Sequence, residues 1–193
     1  MAPRTRVDTR YRTVPDDARH GAVLILLLDT EHGPAIPLIV RTDDGTTHGG
    51  QIGLPGGGFE DGDSFPVGTA IRETEEEIGA QTDAIEVLGR LTPLYIWVSN
   101  YHITPVVGYY RGDHRAFVAN PAEVERILVR GVGELAAGRT RRSVEARGLR
   151  VRVPAYVAGD VEVWGATAMV LSEFFVIHRE VAAAAGGNGA DGG

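Results

Sequence analysis

Two adjoining stretches decide how this chain reads: Leu54-Pro55-Gly56-Gly57-Gly58-Phe59-Glu60-Asp61-Gly62-Asp63, and then Thr69-Ala70-Ile71-Arg72-Glu73-Thr74-Glu75-Glu76-Glu77-Ile78-Gly79. Val67, Ala70, Ile71, Thr74 and Ile78 recur at three- and four-residue intervals, which predicts a helix over Val67–Ile78 with that stripe on a core and Gly79 as its stop. The same spacing sends Glu73, Glu76 and Glu77 to another face together. Like charges so placed cost about 0.2–0.5 kcal/mol per pair, and acids in a last helical turn oppose the macrodipole by about 0.3–1 kcal/mol each when exposed. A sequence that accepts such costs is expected to do so at a functional site. A divalent cation removes the repulsion, and clustered carboxylates suit magnesium or manganese. The glycine run upstream lets backbone come close to a ligand, as a phosphate-contacting loop requires. Alone, the helix reads as a solvated acidic face and the loop as a turn; side by side they point to a site.

Working outward, Ala22–Leu28, Ala35–Val40, Ile85–Leu91 and Ile103–Tyr110 are short runs rich in Val, Ile, Leu and Tyr, bounded by Gly, Pro and Asp, and read as strands. A long helix is expected from about Ala166 to Ala185, closed by Gly186 and Gly187, and a short one over Ala122–Leu128. Strands interleaved with a few helices suggest a mixed sheet covered on both faces. Residues 1–20 lack periodicity and read as a flexible arm, residues 21–185 as a single domain, and residues 186–193 as a disordered glycine-rich tail.

Composition narrows the function classes. With 43% hydrophobic and 23% charged residues, the 193-residue chain has the make-up of a globular domain able to bury a core. A formal net charge of -7 argues against gripping nucleic-acid backbone, which relies on Lys and Arg. The absence of cysteine excludes disulfides, thiol nucleophiles and thiolate metal sites, so any metal here is bound by oxygen or His. The longest apolar run, Ala22–Leu28, is far short of the roughly 20 residues of a membrane span. It follows some twenty largely polar residues and makes a poor signal peptide, so a cytoplasmic location is the default expectation. Neither nucleic acid nor a membrane is an expected partner.

The quoted passage closely resembles the Nudix box, usually written G-x5-E-x7-R-E-U-x-E-E-x-G-U with U aliphatic. Arg72 to Ala80 fits its second half, with Thr74 and Ala80 less bulky than usual; in the first half the acidic position is Asp63, and one extra residue precedes Arg72. The same insertion occurs in the coenzyme A diphosphatase branch, whose signature resembles R-S-x-x-L-R-x-H-x-G-Q-V-A-F-P-G-G. Here Arg41-Thr42-Asp43-Asp44-Gly45-Thr46-Thr47-His48-Gly49-Gly50-Gln51-Ile52-Gly53-Leu54-Pro55-Gly56-Gly57 runs in register with it, Gly45 and Thr46 replacing its Leu-Arg pair. Asn120-Pro121-Ala122-Glu123-Val124 and Trp164 to Ala168 look like later landmarks, so the likeness spans roughly residues 20 to 180.

The resemblance implies a Nudix-type α/β/α sandwich, a mixed β-sheet flanked by helices. It implies Mg2+ (or Mn2+) held by Glu73, Glu76 and Glu77, clamping diphosphate oxygens and lowering the pKa of a water. Arg72 would brace the carboxylates, and Glu73 is the first choice for general base, with Glu77 and Glu123 as rivals. Arg41, Gln51, Gly56 and Gly57 are candidate substrate contacts. His48 and His102 fit surface or capping roles, Trp164 fits packing, and Tyr95, Trp97 and Tyr101 fit either core packing or stacking on a base. The implied partner is a small-molecule nucleotide diphosphate substrate, coenzyme A or its thioesters first, and a homodimer is the one assembly considered. ADP-ribose, NADH, a nucleoside triphosphate, or non-catalytic nucleotide sensing are the alternatives. Six Arg between Arg139 and Arg152, against Glu145 alone, read first as a solvated hairpin and second as a phosphate-reading arm.

Overall fold

The structure is a computed structural model that describes residues 14–43, 50–146 and 149–187. His48, most of the expected N-terminal arm and most of the expected glycine-rich tail lie outside the described residues. Eleven strands and three α-helices are described: β1 (Arg19–Thr30), β2 (Gly33–Arg41), β3 (Ile52–Gly53), β4 (Gly56–Gly58), α1 (Val67–Ile78), β5 (Ile85–Arg90), β6 (Leu94–Ile96), β7 (Tyr101–Tyr110), β8 (Val124–Gly131), α2 (Val132–Ala137), β9 (Arg139–Ala146), β10 (Leu149–Ala158), β11 (Val161–Trp164) and α3 (Gly165–Gly187).

Eight strands form a mixed sheet with the path β3-β2-β1-β7-β5, in which β1 and β7 run parallel while β4 pairs β1, β6 pairs β7 and β8 pairs β2. A separate antiparallel sheet runs β11-β10-β9. Alternation along β1 explains how the large sheet is covered twice. Ala22, Leu24, Leu26 and Leu28 pack into one cluster with Ala70 and Ile78 of α1. Ile25 enters the opposite cluster, which Tyr156, Val163, Leu171 and Phe174 complete from the small sheet and α3. A strand buried on both faces reads as an unbroken apolar run, which is what Ala22–Leu28 shows. The fold is therefore the expected sandwich, with a mixed sheet flanked by helices.

One expected element is corrected. Ala122–Leu128 does not form a helix: Asn120 closes a turn by accepting from Glu123 N at 3.1 Å and Val124 N at 2.8 Å, and β8 then pairs antiparallel with β2. The edge of β2 supplies hydrogen-bond partners that a short isolated helix cannot match, and β-branched Val124, Ile127 and Val129 suit a pleated surface. The Arg139–Arg152 segment is a hairpin, as read, with Arg141 opposite Pro154 and Glu145 opposite Arg150. No helix among the described residues is long and apolar enough to cross a membrane.

Candidate active site

Helix α1 begins after Pro66 without a side-chain cap and ends at Gly79, whose φ of 68° is the left-handed geometry of a helix stop. Its last carbonyls are satisfied from outside. Asn120 N donates to Glu77 O at 3.0 Å and Val118 N donates to Ile78 O at 2.9 Å, so the segment leading into β8 is tied to the end of the helix. That tie delivers Glu123 to the neighbourhood of Glu77. Glu73, Glu77 and Glu123 each offer a carboxylate oxygen, and the three lie within 4.8 Å of one another.

The expected trio of Glu73, Glu76 and Glu77 is thus divided. Residues four apart stack along a helix, which produces two ladders: Glu73 with Glu77, and Arg72 with Glu76. Glu76 is half exposed and accepts from Arg72 Nη1 at 2.9 Å, outside the carboxylate cluster. Arg72 also grips Asp63 through Nε and Nη2, both at 3.0 Å, donates to Gly58 O at 2.9 Å and stands 3.1 Å from Glu73 Oε1. The guanidinium holds the Asp63 carboxyl down at about 2, and Arg72 itself is raised mainly by that hydrogen bond. Asp63 reaches back to α1 through Thr69, whose hydroxyl donates to it at 2.9 Å. Arg72 therefore fixes the glycine loop, the following turn and Glu73 at once.

Glu77 carries the most unusual environment. Its side chain is completely buried, Gly56 N donates to Oε2 at 2.8 Å, and Oε1 receives no hydrogen bond among the described residues. Arg41 Nη2 stands 3.3 Å from Oε1 but is directed at Gly56 O, 2.8 Å away, so Oε1 has charge nearby and a lone pair still free. Burial pushes the Glu77 carboxyl up to about 7, against the lowering pull of Arg41 and the Gly56 amide. Glu73 is also raised, first by burial, with Arg72 opposing. A buried carboxylate with an unfilled lone pair, beside two further carboxylates, suits a hard divalent cation with oxygen ligands.

The glycine loop is shaped by these acids. A Cβ on Gly57 would come within 2.4 Å of the Glu73 carboxylate, so only glycine leaves that oxygen pair in place. Gly57→Ala is expected to lower turnover about tenfold while leaving the fold intact, because Glu73 must swing aside. Steady-state kinetics alongside circular dichroism check it, and unchanged kinetics would show that the carboxylate position is irrelevant.

Arg41, Gln51, Gly56 and Gly57 are the expected candidate substrate contacts. The structure sets Arg41 against Glu77 and Gly56, and Gln51 O accepts from Arg41 N at 3.1 Å. Tyr95 donates to Asn100 Oδ1 at 2.8 Å, Arg19 covers the Tyr101 ring, and Arg142 covers Trp164, so each of these rings has a partner within the chain. His102 stands edge-on to His20, which in turn meets Phe65. The membership of Glu123 was visible only as a rival base, because its approach to Glu77 depends on pairing between distant segments.

A family model described as NUDIX domain matches residues 18–136, a span that contains the glycine loop, α1 and Glu123. The chain belongs to the NUDIX domain family. Relatives called Uncharacterized Nudix hydrolase NudL align with most of this chain and most of their own. The one from Photorhabdus laumondii is 31% identical over 164 residues, covering 84% of this chain and 86% of its own. The one from Yersinia pestis is 32% identical over 155 residues, covering 79% and 76%. Two solved structures share the fold. A MutT/nudix family protein from Enterococcus faecalis gives a TM-score of 0.52 at 17% identity, over 89% of this chain and 68% of that one. The Nudix hydrolase RenU from M. smegmatis gives 0.51 at 21% identity, over 62% and 74%. This Nudix protein is accordingly a hydrolase, and its carboxylate cluster lies within the matched domain.

Proposed function

We propose that this Nudix hydrolase splits the diphosphate bridge of coenzyme A or an acyl-coenzyme A, giving 3′,5′-ADP and (acyl-)4′-phosphopantetheine. The observation that carries the hydrolytic reading is the convergence of Glu73, Glu77 and Glu123 around the unfilled Glu77 Oε1. The register of Arg41 to Gly57 with the coenzyme A diphosphatase signature supports the substrate.

Glu73, Glu77 and Glu123 are the residues that would hold Mg2+ or Mn2+. When bound, such an ion supplies positive charge to the diphosphate oxygens and acidifies a neighbouring water. The chain's own residues do the rest. Gly56 and Gly57 leave backbone open beside the carboxylates, where a diphosphate can approach closely. Arg41 is a positioning residue that acts through Glu77 and the Gly56 carbonyl, and Arg72 does the same through Glu73 and Asp63. Glu73 is held by Arg72 and Glu77 is sealed from solvent, whereas Glu123 is exposed. We therefore assign removal of the proton from the attacking water to the Glu123 carboxylate, in place of Glu73, because Glu123 can pass that proton to bulk solvent. The chemistry asked of the protein is positioning and charge compensation, with no covalent intermediate.

The test is side-by-side turnover of coenzyme A, ADP-ribose, NADH and nucleoside triphosphates with magnesium, products being identified by mass spectrometry. Coenzyme A is expected to give 3′,5′-ADP with the highest kcat/KM of the set. A preference for ADP-ribose would replace the coenzyme A assignment, and a folded protein inert to all of them would remove hydrolysis itself.

A further inference from the structure

The small sheet and α3 border a second, open concave site, on the face of the large sheet opposite α1. Alternation along the β9–β10 hairpin puts Arg139, Arg141 and Arg152 on the side facing α3, because Arg139 pairs with Tyr156, Arg141 with Pro154 and Ser143 with Arg152. Tyr156 proves the direction: its hydroxyl meets Ser172 Oγ on α3 at 2.9 Å. The three guanidiniums, with Thr140, Pro154 and Ser172, line a cavity of about 250 Å³. Through Arg139 and Ser172 it opens into a groove of about 440 Å³ whose walls include Val132, Ala136, Phe175 and Val176, with His178 and Arg179 beside them. Neither lining contains a carboxylate, in a chain whose net charge is -7.

The neighbouring arginines behave differently. Arg142, on the other side of the same strand, pairs with Glu162 and covers the Trp164 ring. Arg150 stands opposite Glu145. For Arg139, Arg141 and Arg152 no ion pair or side-chain hydrogen bond is found among the described residues. Three exposed guanidiniums share this one sheet face with no carboxylate among them, a local field that favours an anion. Guanidinium forks match phosphate oxygens two at a time.

We propose that this cavity and groove bind an organic phosphomonoester, its phosphate among Arg139, Arg141 and Arg152 and its apolar body along Val132, Ala136, Phe175 and Val176. The site is separate from the carboxylate cluster and does not rest on the hydrolase reading.

The probe is n-hexyl phosphate, titrated calorimetrically into the full chain in excess EDTA, so that no metal is available at the carboxylates. Inorganic phosphate and n-hexanol are run beside it. Saturable hexyl phosphate binding, tighter than that of phosphate alone, is expected to weaken about tenfold in each of Arg141→Ala and Arg152→Ala. Arg141→Lys, which keeps the charge and loses the fork, should fall between. Arg142→Ala is expected to bind as wild type does. No saturation, an equal loss in Arg142→Ala, or equal affinity for phosphate and hexyl phosphate would each overturn the proposal. Because hydrolysis plays no part in the readout, a failure here and a failure of the coenzyme A assignment are told apart.

Discussion

Glu77→Gln is expected to lower kcat for diphosphate hydrolysis by on the order of 10²–10³-fold at saturating magnesium, a loss of the size seen when one preorganised electrostatic group is removed from a reacting centre. The substitution keeps the shape of a side chain that is completely buried and takes away the charge that the unfilled Oε1 presents. One amide end must then face either the Gly56 N–H or Arg41, so magnesium affinity falls as well. Glu76→Gln is expected to cost far less. Its carboxylate is half exposed and serves an i,i+4 pair with Arg72, worth about 0.3–0.5 kcal/mol. Kinetics and metal titration on both variants, with circular dichroism as the folding control, decide the matter. Similar losses in the two would restore the undivided trio of Glu73, Glu76 and Glu77, and a Glu77→Gln protein near wild-type rate would remove the cation site.

The second large effect concerns stability without metal. Glu77 titrates at about 7 in the folded chain against an ordinary 4.5, so the folded state holds this proton more tightly than the unfolded one. Between those values the folded protein binds more protons, and stability therefore falls as pH rises. The stabilisation is complete below about 4.5 and lost above about 7, roughly 3 kcal/mol in all at 1.36 kcal/mol per unit. Asp63 works in the opposite sense, since its contribution is lost only as pH falls toward about 2, outside this window. Thermal melts in EDTA from pH 4.5 to 8 should show a declining Tm, restored by magnesium mainly at the upper end and flattened in Glu77→Gln. A Tm that climbs steadily across this range in EDTA would show that burial does not penalise the Glu77 charge.

Helix α1 was fully legible from residue spacing, including its final residue, because the stripe Val67, Ala70, Ile71, Thr74, Ile78 and the stop at Gly79 are local signals. The place of Glu76 departs from the shared face expected for Glu73, Glu76 and Glu77: Arg72 sits four residues from Glu76, and an opposite charge at that spacing captures it. β8 was not legible. Its alternation of charged and apolar residues suits a short helix as well as a strand, and only the open edge of β2, some ninety residues upstream, decides between them. The inclusion of Glu123 hangs on the same long-range pairing and on two backbone bonds to the end of α1. Burial of Glu77 was hidden for a related reason, since a glutamate beside two others looks solvated until the glycine loop is folded over it.

The two bonds from Val118 N and Asn120 N to the end of α1 are made by main chain alone. The exposed side chain at Val118 can therefore drift through a lineage without moving the third acid, whereas a one-residue loss or gain between Gly79 and Glu123 would shift it out of reach unless a loop absorbed the change. Inheritance at this corner of the enzyme acts on spacing more than on spelling.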